Sequence, residues 1–270
     1  MYVVVITKKG CGTIEIKPKM EPNTTTIESG LQKVRARIKS IAEKAGRQPE
    51  GITLLAASKT NPPECLREAF AAGQTIFGEN YLQEALVKIE ALRDLPIEWH
   101  FIGPIQSNKT KRISENFAWV HSVDRKKIAD RLSKDRPESL PPLQVCLQVN
   151  VSGEDSKSGV APEEVSDLAA HVVNLPRLKL RGVMAIPELT KATALQRSQF
   201  RMLREAYDRL KREGYDLDTI SMGMSEDLDI AIEEGATTVR VGTAIFGPRR
   251  YPIPEELAAQ QRNFGNGIPD

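Results

Sequence analysis

The chain has 270 residues, 40% apolar and 27% charged, and its 38 Lys and Arg against 36 Asp and Glu leave a formal charge of +2. That composition excludes a wholly disordered chain, and the length suffices for one large domain or two small ones. The near-neutral balance favours neither a nucleic-acid nor a membrane-surface partner.

From the N-terminus, Met1-Tyr-Val-Val-Val-Ile6 is apolar but too short for a secretory leader, and Lys8 and Lys9 follow it rather than precede it. No run approaches the roughly 18 apolar residues of a membrane span. Residues 1–26 show no helical period and read as an extension outside the fold. From Ile27 the pattern changes: Ile27, Leu31, Val34, Ile38, Ile41 and Ala42 recur at three- and four-residue steps, predicting an amphipathic helix that ends near Gly46. A two-beat rhythm follows. Short apolar runs at 52–57, 75–78, 98–103, 118–122, 143–150, 178–186, 219–222 and 238–241 read as strands. Helical patterns lie between them near 62–73, 80–93, 106–115, 124–134, 162–174, 196–213 and 226–234. Strict alternation demands right-handed crossovers and a parallel sheet. Eight repeats in about 200 residues point to a single closed (β/α)8 TIM barrel over residues 27–249. An open doubly wound sheet is the alternative, weakened by the absence of GxGxxG. Residues 250–270 are Pro-broken and polar, a tail.

Three widely spaced cysteines, Cys11, Cys65 and Cys146, make neither a disulfide framework nor a metal site, and His100, His121 and His171 share no metal-binding spacing. Free thiols, no metal and a cytoplasmic setting are expected.

In a barrel the chemistry collects where the strands end, because the βα loops converge there. Those ends are polar: Ser58-Lys59-Thr60, Glu79-Asn80-Tyr81, His121-Ser122, Asn150, Met222-Gly-Met-Ser225 and Gly242-Thr243. Lys59 follows an apolar run. Desolvation there would free its amine as a nucleophile toward aldehydes; the plain alternative is a lysine that reaches solvent. Ser225, placed as helix N-cap, and the glycine turn at Gly242 sit where barrels bind phosphate, although Glu226 and Asp227 equally describe a well-capped helix without a ligand. Arg240 alternates with Val239 and Val241. It either enters the barrel mouth, where it needs an acceptor, or forms an ion pair under the helices.

Several motifs resemble one family: Ala56-Ala-Ser-Lys-Thr60, Phe77-Gly-Glu-Asn-Tyr81 with Gln83-Glu84, His100-Phe-Ile-Gly-Pro104 with Gln106-Ser-Asn-Lys109, Val149-Asn-Val-Ser-Gly-Glu-Asp-Ser-Lys-Ser-Gly159, Gly182-Val-Met-Ala-Ile186, Ser221-Met-Gly-Met-Ser225 and Val239-Arg-Val-Gly-Thr-Ala-Ile-Phe-Gly247. Together they resemble the pyridoxal phosphate homeostasis proteins, single-domain relatives of the alanine racemase barrel (PLP fold type III). The resemblance implies that Lys59 forms a Schiff base with pyridoxal 5′-phosphate and that Ser225, Gly242 and Thr243 cradle the phosphate. It also implies that Arg240 stands beside the pyridine nitrogen and that Asn80 lies near the ring. Lys157 and the Arg249-Arg250 pair fall where such proteins carry basic residues.

An arginine cannot protonate the pyridine nitrogen as an aspartate would, so the ring is a weaker electron sink. Racemisation needs two bases on opposite faces. Of Tyr81, Tyr207, Tyr215 and Tyr251, Tyr81 alone falls at a strand exit, and the sequence after Arg249 is short for a second domain. The expectation is therefore a monomeric cofactor-binding protein, holding and handing on the cofactor to apo-enzymes without substantial catalysis. A low-activity amino-acid racemase is the rival. An interaction module using the basic run Lys109-Thr-Lys-Arg112 is a third reading.

Overall fold

The protein is described by a computed structural model over residues 26–153, 158–188, 190 and 192–247. Residues 1–25 and 248–270 and Lys157 lie outside the described residues, so the expectations for the two ends, Lys157, Arg249 and Arg250 fall there. The first helix, α1 (Ile27–Lys44), begins where Thr26 Oγ1 accepts a hydrogen bond from the Ser29 backbone N–H at 3.1 Å. It buries Ile27, Leu31, Val34, Ile38, Ile41 and Ala42, the stripe its spacing predicts.

Strands and helices then alternate: β1 (Thr53–Ala57), α2 (Pro63–Ala71), β2 (Ile76–Glu79), α3 (Leu82–Ala91), β3 (Glu98–Phe101), α4 (Thr110–Asn116), β4 (Trp119–Val123), α5 (Lys126–Asp135), β5 (Leu143–Gln148), α6 (Val165–Val173), β6 (Leu178–Met184), α7 (Thr193–Arg212), β7 (Thr219–Ser221), α8 (Leu228–Glu233), β8 (Thr238–Val241) and the single turn α9 (Thr243–Phe246). All strand pairs are parallel, and β8 returns to β1, so the sheet closes and the open alternative falls. Seven crossover helices would leave one gap in the outer ring. The helix preceding the first strand fills it, since α1 packs against α8, α9 and α2.

Most of the apolar core lies between the strands and this ring. The inside of the barrel is different. Leu55, Ala57 and Ile102 form a small apolar cluster there. Register places Arg240 beside Leu55 and His100 beside Gly78. Barrel interiors are usually filled by branched aliphatic layers; here buried polar side chains share the space. No helix among the described residues is long and apolar enough to cross a membrane.

Candidate cofactor site at the barrel mouth

β7, β8, β1 and β2 are consecutive neighbours, so their C-terminal ends share one arc of the rim. Ser58 N donates to Gly78 O at 3.0 Å, extending the β1–β2 ladder one residue past β1. Strand alternation continued from Ala57 turns Ser58 toward the helices and half-buried Lys59 toward the barrel axis. On β2 the same alternation turns Glu79 outward and the next residue, Asn80, inward. Asn80 Oδ1 is buried without a hydrogen-bond partner among the described residues.

Behind the lysine loop sits a buried charge cluster. Lys88 Nζ on α3 donates to Glu79 Oε1 at 2.7 Å, Glu84 Oε1 at 2.5 Å and Ser58 O at 2.8 Å. Ser58 Oγ donates to Glu79 Oε1 at 2.6 Å, and Thr60 N donates to Glu84 Oε1 at 2.6 Å. Burial pushes the Glu79 carboxyl up to about 7, with Lys88 opposing the rise and Glu84 adding to it.

Arg240 is buried and forms the floor of the arc. Its Nη1 donates to Ser221 O at 2.7 Å and Ser221 Oγ at 2.8 Å, and its Nη2 donates to Ala185 O at 2.8 Å. Of the two orientations open to it, the interior one is found. The acceptors within the chain are two backbone carbonyls and a hydroxyl. Burial lowers its pKa to about 10, which leaves it cationic at neutral pH.

From Arg240 a chain of side chains crosses the barrel. Ser221 Oγ lies 2.8 Å from His121 Nδ1, His121 Nε2 lies 2.9 Å from His100 Nδ1, and His100 Nε2 lies 2.8 Å from Glu98 Oε1. Donor accounting assigns one direction. The Glu98 carboxylate can only accept, so two neutral imidazoles in this chain both carry hydrogen on Nε2, and Ser221 Oγ, accepting from Arg240, gives its own hydrogen to His121 Nδ1. Burial lowers both histidine pKa values, that of His121 well below 6.5. The chain ends at Glu98, at the start of β3 and thus at the opposite end of the barrel.

The two remaining loops differ in part from expectation. α8 starts at Leu228 and its N-cap is Asp227, not Ser225, because the turn after β7 runs on through residues 225–227. The Asp227 carboxylate turns back to accept from Met224 N at 2.5 Å instead of facing the mouth. Ser225 is half-buried and its carbonyl accepts from Arg37 Nη1 at 2.8 Å. Gly242 follows β8 directly beside Ala57, where a Cβ would stand 2.8 Å from Ala57 O, so the close approach admits only glycine. Thr243 opens α9 and is exposed.

Lys59, Asn80, Ser225, Arg240, Gly242 and Thr243 thus come from four adjacent strand ends. His121 and Ser122 do not belong to an exit: both lie inside β4, His121 in the chain just described and Ser122 donating to Gly103 O at 2.6 Å. Tyr207 is removed from the rim, its hydroxyl donating to Leu217 O ahead of β7. The charge cluster and the histidine chain were not read from the sequence. The i,i+4 spacing of Glu84 and Lys88 signals a helical pair. Nothing signals the contact between His121 and Ser221, 100 residues apart.

The alanine racemase N-terminal domain family matches residues 30–250. A pyridoxal phosphate homeostasis protein of Pseudomonas aeruginosa is 60% identical over 230 residues, which cover 85% of this chain and 99% of that one. One from Escherichia coli K12 is 49% identical over 228 residues, covering 83% and 97%. Among solved structures, PipY of Synechococcus elongatus PCC7942 with PLP bound superposes with a TM-score of 0.73 at 36% identity, over 82% of this chain and all (100%) of that chain. Alanine racemase from Corynebacterium glutamicum, at 18% identity and TM-score 0.59, shares the fold over 80% of this chain and 60% of its own. Matches of this extent, carried through the strand ends just described, make this chain a member of the pyridoxal phosphate homeostasis protein family within the alanine racemase N-terminal domain group.

Proposed function

We propose that this protein binds pyridoxal 5′-phosphate reversibly in intracellular PLP homeostasis, storing and delivering the cofactor without substantial catalysis. The observation that carries the reading is the arc of four neighbouring strand ends bringing a lysine, a buried arginine and a glycine turn to one mouth. The residues fit the group. Asn80 Oδ1 is a buried acceptor without a partner among the described residues, Gly242 lets the turn after β8 pack close against Ala57 at the rim, and the backbone opening α9 offers N–H groups to an anion.

Bound PLP supplies an electrophilic aldehyde. Lys59 would supply the amine that holds it reversibly. Ser225, Gly242 and Thr243 would hold the phosphate, and Arg240 would stand beside the pyridine nitrogen. A guanidinium that keeps its proton gives the ring only a hydrogen bond, so carbanion chemistry is disfavoured. Reversible linkage with weak activation suits holding and release. The same proposal has a cytoplasmic monomer passing cofactor to apo-enzymes.

The test is spectral. Purified protein should take up PLP with an imine absorption band that borohydride bleaches, and Lys59→Ala should lose it. Failure to take up added cofactor would overturn the reading. The racemase alternative rests on Tyr81, the N-cap residue of α3, next to Asn80. Sustained chiral turnover of alanine or serine that Tyr81→Phe abolishes would establish it.

A further inference from the structure

We infer that Glu84, acting with Lys88 and Glu79, is a positioning residue for Lys59: the buried cluster clamps the backbone on both sides of the nucleophile and fixes the direction of its side chain. The inference rests on the site reading above and deepens it. On the N-terminal side, Ser58 is held twice, its carbonyl by Lys88 Nζ at 2.8 Å and its hydroxyl by Glu79 at 2.6 Å. On the C-terminal side, Thr60 N is held by Glu84 Oε1 at 2.6 Å. Lys59 lies between two anchored neighbours.

Two features say that the clamp is built for geometry. Thr60 has φ of 63°, a left-handed conformation that a β-branched residue avoids unless its surroundings impose it. The Glu84 contact to its N–H imposes it. The second is donor count. An ammonium has three hydrogens, and Lys88 Nζ meets three acceptors, Ser58 O, Glu79 Oε1 and Glu84 Oε1, so its position is fully determined. Glu84 and Lys88 share a face of α3, one turn apart, which ties the lysine loop to a rigid element. Two carboxylates for one ammonium make a poor arrangement for stability alone, since burial disfavours the uncompensated charge. As a device that holds one short segment it makes sense. Imine formation needs the amine aligned with the aldehyde carbon, and small misplacements of a reacting group cost rate steeply.

The experiment uses the full-length protein and two probes. Pyridoxal 5′-phosphate can condense with Lys59; pyridoxine 5′-phosphate, lacking the carbonyl, reports on the cradle alone. Glu84→Ala should slow appearance of the borohydride-sensitive band by about tenfold or more while changing affinity for pyridoxine 5′-phosphate by less than about twofold. Glu84→Gln keeps the reach and an acceptor for Thr60 N, and should return the rate to within about threefold of wild type. Glu84→Asp keeps the charge but is one methylene short, and should behave like the alanine variant. If Glu84→Ala does not fold, the Gln and Asp pair carries the comparison. An unchanged rate in the Ala or Asp variant, an equal loss with Gln, or parallel loss of both probes would overturn the clamp. Hydrogen exchange of the Thr60 amide without cofactor supplies an independent reading. Protection in wild type that Glu84→Ala removes supports the clamp, and equal exchange in both overturns it. A wild-type protein that forms no trappable imine would instead overturn the site reading of the preceding section.

Discussion

Replacing Ser221 by alanine removes one oxygen from the centre of the chain that crosses the barrel. Arg240 keeps Ser221 O and Ala185 O, so its guanidinium is not orphaned, but it loses the 2.8 Å contact to the hydroxyl. His121 fares worse. Its Nδ1 loses its hydroxyl donor in a fully buried setting, where a polar group without a partner costs about 1–3 kcal/mol. With the weakened hold on Arg240, we expect a total loss of about 2–3 kcal/mol. For a barrel of this size that lowers the melting temperature by roughly 5–10 °C. Thermal unfolding monitored by circular dichroism gives the shift, and 15N spectra of the histidine rings give its cause. In wild type both rings should be neutral, with hydrogen on Nε2, and His121 should stay so well below pH 6.5 because burial opposes its protonation. In Ser221→Ala the Nδ1 resonance of His121 should move as its donor disappears. A melting temperature within about 2 °C of wild type, with unaltered ring nitrogens, would refute the one-way chain.

Other expected outcomes follow from the same geometry. The Glu79 carboxyl titrates near 7 in the folded protein because burial raises it from 4.5, so between these values the folded state binds more protons than the unfolded state. Wild type should therefore lose stability relative to Glu79→Gln as pH rises from about 4.5 to about 7, and urea midpoints at pH 5 and 7.5 check the sign. Gly103→Ala would bring a Cβ to 2.1 Å from Asn80 O, so β2 and β3 must part at the mouth. We expect a loss of about 1–3 kcal/mol together with weaker PLP uptake, measured by unfolding and by titration of the imine band. Unchanged uptake would place Asn80 away from the cofactor.

The elements were legible because each carries a local rule. α1 shows its buried stripe in the spacing of Ile27, Leu31, Val34 and Ile38. β1, buried on the core side and followed by Pro62 and Pro63, reads as a strand feeding a crossover helix. The misreadings fall where a local rule has two solutions. Ser225 and Asp227 are both acceptable helix caps, and the length of the turn after β7 chose the second. His121, polar near the end of an apolar run, reads as a strand end facing the mouth until a partner on β7 compensates its burial.

Chain order and apolar period, both properties of neighbouring residues, determined by themselves the alternation of strands and helices and the strand ends that carry Lys59, Asn80, Ser225, Arg240, Gly242 and Thr243. The pairing of β8 with β1 decided that the sheet closes and that those ends share one arc. The tertiary structure alone decided that Arg240 turns inward, that His100 and His121 relay its hydrogen bonds to Glu98, and that Lys88 and its two carboxylates grip the lysine loop. The first two depend on closure, whereas the third needs only β1, β2 and α3 packed together. Only when β8 meets β1 are residues as distant as His121 and Ser221 brought within hydrogen-bonding distance inside a space too dry to leave a polar group alone.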